Sequence, residues 1–263
     1  MEEIYTLAAV VILVVILLSA SMHDLRSREV PDIHWAAICA VGIVMMIISI
    51  LDGTVTVQRI MILIGSIMII ADILYDRDLP QYAEILFYGT LAVMFMYPVM
   101  TAMDDTFVVS SLAIPICYLL FVVLFFGGMI KGGADVKCLI SLAIIFPMYP
   151  VLYGYPIIGV PEPIISSMIS FPLAVLLYAS LFSLILMVPL VVRNIRLGDT
   201  RFPNMLIGYR MRSEDVEGHH VWPMGDGAEE DGKVWVTPKI PFIIPITAAV
   251  VFTMFVGNLI FLI

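Results

Sequence analysis

Long apolar runs separated by short polar breaks make up most of the chain. Eight runs stand out, near residues 4–22, 33–51, 59–75, 82–101, 107–129, 136–153, 170–192 and 240–262. Within them apolar residues follow one another without the one-in-two alternation of a membrane β-strand. Most approach the roughly 20 residues that a helix needs to cross a bilayer. A backbone in lipid must satisfy its own N–H and C=O groups, which a helix does. The pattern therefore predicts about eight transmembrane helices. Two runs are weaker. The third contains Asp72, and the sixth carries Pro147 and Pro150 and is expected to be short or broken.

Composition strengthens this reading. The chain is 62% hydrophobic and 13% charged, with mean hydropathy +1.07. A soluble domain is about 45–50% apolar and about 25% charged. The expected fold class is all-α, a polytopic membrane protein. Residues 1–192 are read as a transmembrane bundle, 193–239 as a cytoplasmic loop or small subdomain, and 240–263 as a C-terminal transmembrane helix. The loop is too short for a substantial core of its own and is expected to pack against the membrane face. Glu2 and Glu3 precede the first run, where a secretory signal would be basic, so that run is read as a retained span. Cys39, Cys117 and Cys138 have no metal-ligand or redox spacing and are expected to be buried thiols. A net charge of −9 argues against a nucleic-acid partner.

Charge also gives an orientation. Twelve of the thirteen basic residues fall in alternate gaps between runs. Arg26 and Arg28 lie in the first such gap, Arg77 in the second, and Lys131 and Lys137 in the third. Seven more, from Arg193 to Lys239, lie in the long loop. Arg59 is the exception. Basic residues mark cytoplasmic loops, which places the N-terminus outside the cell membrane and these loops inside. Asp24, in "SMHDLRSREVPDIHW", and Asp135, in "MIKGGADVKCLI", are then at one depth, on the cytoplasmic boundary.

Each aspartate has a plain explanation. Asp24 can be a solvated flank balancing Arg26 and Arg28, and Asp135 can be an acid favoured at a helix N-terminus. Two carboxylates at one depth also form the pair that aspartyl proteolysis needs. One, ionised, takes a proton from water, while the other, protonated, donates to the carbonyl oxygen. Such chemistry needs neither metal nor cofactor. Among rivals, Asp72 is deeper and suits a proton relay or a structural role. Asp76 and Asp78 suit solvated loops, and His23 can tune Asp24. His219 and His220 lack partners at zinc-ligand spacing.

"KGGADVK" resembles the Gly-x-Gly-Asp motif of intramembrane aspartyl proteases in the Asp-x-Lys form of type IV prepilin peptidases. "HDLRSREVPDIHW" resembles the segment carrying that family's other catalytic aspartate, and "VWVTPKIPFIIPIT" is similar to the end of archaeal preflagellin peptidases. The resemblance implies catalytic roles for Asp24 and Asp135, with Gly132, Gly133, Ala134 and Lys137 close to the site. It implies cleavage of archaellin or pilin-like precursors with a short basic leader before a hydrophobic helix. The partners would be those precursors and the bilayer. Ala134 departs from the strict motif glycine. The six-span family core would carry an extra pair of spans around 59–101. The cysteine tetrad of bifunctional bacterial members is missing, so N-methylation is not expected. A presenilin-like protease cutting within a span, and a transporter using Asp24, Asp72 and Asp135 as a proton or cation path, remain alternatives. The acidic run Asp226 to Asp231 is a candidate attractor for a basic leader. Gly127, Gly128, Gly132 and Gly133 are candidates for close helix approach.

Overall fold

The computed structural model describes residues 2–75, 80–218, 221–224, 232–238 and 241–262. Asp76, Arg77, Asp78, His219, His220, the run Asp226 to Asp231 and Lys239 lie outside them. The helices are α1 (Glu2–Ser27), α2 (Ile33–Asp52), α3 (Val57–Leu74), α4 (Gln81–Thr101), α5 (Thr106–Ser111), α6 (Ala113–Phe126), α7 (Gly133–Ile145), α8 (Pro163–Met168), α9 (Phe171–Leu197), α10 (Asn204–Ile207) and α11 (Ile243–Val256). Strands β1 (Tyr209–Arg212), β2 (Val221–Pro223) and β3 (Lys233–Pro238) follow α10. They form an antiparallel sheet in the order β1-β3-β2. Among the described residues, seven helical stretches are long and apolar enough to cross a membrane, with α5 and α6 together making one of them. The chain is an all-α, multi-pass membrane protein.

The sixth apolar run is the one that falls short. Its helix, α7, has 13 residues, about 20 Å at 1.5 Å per residue, against a hydrocarbon core of about 30 Å. Helix geometry ends at Phe146, just ahead of Pro147. Beyond it the chain continues without helix, and Ile157 and Ile158 donate to the carbonyls of Phe255 and Val256 at the far end of α11. That irregular backbone is held against protein, the condition under which membranes tolerate it. The sixth apolar run is thus not among the seven helices long enough to span.

Most helices split into two faces. On α1, Ala9, Leu13, Leu17, Ala20, Ser21 and Asp24 are buried, while Val11, Val15 and Leu18 face outward. Steps of three and four keep the buried set on one side of a helix. Outward apolar residues suit lipid as they would not suit water. α7 has no such outer face: every residue from Cys138 to Ile145 is buried. It is enclosed mainly by α2, α6 and α9. At Gly42, α2 approaches α7 so closely that a Cβ there would lie 2.8 Å from the Ile144 carbonyl oxygen. Cys39 Sγ donates to Ser141 Oγ across the same contact, at 3.3 Å.

The bundle has two distinct ends. At one, α1 finishes, α2, α7 and α11 begin, and α9 delivers the chain to the sheet. Asn194 Nδ2 donates to the carbonyls of Met205 and Gly208, and the Arg193 guanidinium lies 4.6 Å from the centre of the Tyr209 ring, so the sheet region is tied to the end of α9. At the other end Arg59 and Asp105 form a two-pronged ion pair at 2.7 and 2.9 Å. The arginine holds the Asp105 carboxyl below its ordinary range. Arg59, the exception to the charge pattern, therefore has a structural partner.

Gly42→Val should force α2 and α7 apart and cost about 1–3 kcal/mol, the usual range for overpacking. Gly89→Ala, at a helical position with nothing within 4 Å of the added carbon, should be neutral or stabilising. Thermal unfolding of the two purified variants checks both, and equal midpoints would refute the close-packing account.

Candidate active site

Asp24 and Asp135 arrive at the same end of the bundle by different routes. Asp24 lies on the last turn of α1, on the buried stripe, and is 9% exposed. This is not the solvated flank position that the sequence also allowed. Its Oδ2 accepts from the Ile243 N–H at 3.2 Å. Ile243 is the first residue of α11, and no side chain of its own N-cap, Phe242, serves that end. A carboxylate from a distant helix thus supplies the acceptor and meets the positive end of the α11 dipole. Nearby, Ser21 Oγ and Thr247 Oγ1 are hydrogen-bonded at 2.9 Å, fastening α1 to α11 one turn deeper.

Asp135 occupies the third position of α7, after Gly132 as N-cap. Its carboxylate is half buried and makes no hydrogen bond among the described residues. It lies in the first turn of α7, where the helix dipole favours an acid, as the plain explanation expects. Asp24 and Asp135 are close enough to interact electrostatically. Both acids that the sequence singled out thus stand at one end of the bundle, Asp24 on the last turn of α1 with a donor and Asp135 in the first turn of α7 without one.

The surrounding motif residues have separate tasks. A Cβ on Gly132 would collide with the Asp135 carboxylate, so glycine here lets that side chain fold back over the helix start. Gly133 and Gly128 have open space on the side a Cβ would take, and Gly128 sits in the left-handed region with φ 71°. Ala134 is half buried and packs on the core. Lys137 Nζ reaches Asp32 Oδ1 and Oδ2 at 2.8 and 2.7 Å. This pair links the α1–α2 connection, just after Asp24, to the first turn of α7, just after Asp135. Asp32 was not anticipated as a site residue. In sequence it looks like a helix N-cap, yet its side chain makes no cap bond and goes to Lys137.

The rivals sit elsewhere. Asp72 accepts hydrogen bonds from the hydroxyls of Tyr88 and Tyr118, on α4 and α6. It is a polar group engaged within the bundle, in the last turn of α3. Both tyrosines also line an apolar cleft of about 450 Å³ between α3, α4 and α6. His23 packs edge-on against the His34 ring, with centroids 5.2 Å apart. All three cysteines are buried and unbridged.

No protein-family model matches the chain. Two curated proteins are similar along most of it. A preflagellin peptidase from Methanocaldococcus jannaschii is 24% identical, with 92% of this chain and 91% of the relative aligned. A preflagellin peptidase from Methanococcus maripaludis is 27% identical, with 74% of this chain and 94% of the relative aligned. The chain is thus similar to two preflagellin peptidases along most of its length.

Proposed function

We propose that this protein is a membrane aspartyl endopeptidase that removes the short basic leader from archaellin or type IV pilin-like precursors, using Asp24 and Asp135. What supports the reading is the placement of both acids at one end of the bundle, Asp24 on the last turn of α1 and Asp135 in the first turn of α7. The names of the two relatives supply the reaction class.

The chemistry follows from the unequal surroundings of the pair. Asp24 accepts a hydrogen bond from the Ile243 N–H, a contact that an ionised carboxylate satisfies. Asp135 has no donor, and two close carboxylates resist simultaneous ionisation. In this reading Asp24, which has a donor, is assigned as the base and Asp135, which has none, as the acid. Asp24 takes a proton from a water as its oxygen adds to the scissile carbonyl carbon, and Asp135 gives its proton to the carbonyl oxygen. The tetrahedral intermediate then collapses. Its C–N bond breaks, the proton held by Asp24 passes to the departing amine, and the hydroxyl proton returns to Asp135.

The membrane face of the cut rests on charge. The end carrying Asp24 and Asp135 also carries Arg26, Arg28, Lys131, Lys137 and the arginines that follow α9. The positive-inside rule makes it cytoplasmic. A precursor would enter with its basic leader in the cytoplasm and its hydrophobic segment in the bilayer. A cut at the helix ends suits this geometry better than a cut within a span.

Co-expression with a precursor carrying a basic leader, a glycine cut site and a hydrophobic helix tests the reading. Asp24→Asn and Asp135→Asn should each lower cleavage by at least about 100-fold, in line with loss of a general acid or base. Asp72→Asn should retain cleavage. Undiminished processing by either of the first two would refute the pair, and dependence on Asp72 alone would favour an ion-translocating protein.

The link between Lys137 and Asp32 gives a separate test. Lys137→Asp and Asp32→Lys should each reduce cleavage several-fold with little change in unfolding midpoint, since exposed pairs contribute about 0–1 kcal/mol to stability. The double exchange should restore a substantial part of the activity. A double variant no better than the worse single one would show that the pair does not position the site.

A further inference from the structure

Helix α1 ends in an uncommon way. Arg28, the residue after its last turn, has φ 59°, in the left-handed region that glycine enters freely and other residues enter at a cost. Many helices close with such a residue, but it is usually Gly or Asn. Arg28 N–H donates to the Asp24 carbonyl at 3.2 Å, closing the turn over the residue that carries the candidate carboxylate.

The side chain does not extend into solvent as a terminal arginine commonly does. Arg26, two residues earlier, is exposed and supplies the ordinary flank charge. Arg28 is half buried, and its Nε and Nη1 are buried with no hydrogen-bond partner among the described residues. Arg28 stands one turn beyond Asp24 with its N–H on the Asp24 carbonyl, which roots its side chain beside the candidate site. A guanidinium is always charged, has five donors and accepts nothing. Buried donors without a partner are costly. A residue held in an unfavourable backbone conformation, presenting unpaired donors beside two reactive carboxylates, is arranged to receive an acceptor.

We propose that Arg28 is a substrate-contacting residue whose buried guanidinium donates hydrogen bonds to a backbone carbonyl oxygen of the precursor segment bound beside Asp24 and Asp135. This inference rests on the peptidase reading above. The acceptor is assigned as a neutral carbonyl because the carboxylate pair carries negative charge and repels an anion such as a phosphate. An extended peptide presents carbonyls at regular spacing, and the planar fork of arginine suits them better than the point charge of lysine.

Arg28→Gly separates a binding role from a structural one, because glycine fits the left-handed backbone without strain. Binding of a fluorescent peptide spanning the cut site is measured in neutral detergent, on protein made inactive by Asp135→Asn. Cleavage is measured on protein with both aspartates intact. Arg28→Gly should weaken peptide binding about 10- to 100-fold, the value of a charge-assisted hydrogen bond. It should raise KM more than it lowers kcat and leave the unfolding midpoint unchanged or higher. Arg28→Lys should recover only part of the binding. Unchanged binding in Arg28→Gly overturns the inference, as does absence of peptide binding by the parent protein. A lowered midpoint that accounts for the loss overturns it by making Arg28 structural. An effect confined to vesicles containing phosphatidylglycerol, and absent in neutral detergent, overturns it in favour of a lipid phosphate. If the wild type binds peptide in an Arg28-dependent way but never cleaves, the peptidase reading fails and this inference stands.

Discussion

The whole arrangement depends on the burial of one short helix. α7 has apolar residues on every side and no lipid-facing surface, so its neighbours must enclose it. Within a bilayer, helices gain little from hydrophobic exclusion and associate through close packing and small residues. Gly42 provides that closeness, letting α2 meet the α7 backbone directly. Enclosure fixes the rotation and depth of α7, and therefore where its first turn, with Asp135, can lie.

Asp24 is fixed from the opposite side. It rides on a helix whose inner stripe packs against the bundle, and it is held by the first N–H of α11. One carboxylate oxygen thus has a structural duty while the other stays available. This makes the Asp24 environment unlike that of Asp135, and unlike environments are what the proposed division into base and acid requires. The Lys137–Asp32 pair then joins the two segments near the surface, where an exposed ion pair contributes little to stability.

Much of this was legible in the sequence. Uninterrupted apolar runs identified the helices, because the bilayer imposes a length and forbids exposed backbone. Pro147 and Pro150 marked the run that would fall short. The inward stripe from Ala9 to Asp24 could have been read from its spacing of three and four, and it would have argued against a solvated Asp24. Other features had no local signal. The Ile243 bond joins residues 219 apart and the Lys137 pair joins residues 105 apart, so neither leaves a periodic trace. Asp32 was hidden by its resemblance to a cap. The left-handed conformation of Arg28 was invisible because sequence rules expect glycine there. The three-stranded sheet after α10 was also missed, its strands being only three to six residues long.

The central claim is that Asp24 and Asp135 work as one titrating pair, with one proton between them. The pH dependence of kcat/KM for leader removal by the purified protein tests it most directly. A pair that needs one ionised and one protonated member gives a bell: activity falls in acid as both become protonated and falls in base as both ionise. The account predicts that bell in the wild type, with the residual activity of Asp24→Asn and Asp135→Asn lacking it. A wild-type profile that rises through one limb and stays flat into base, or a bell that persists in either variant, would contradict it.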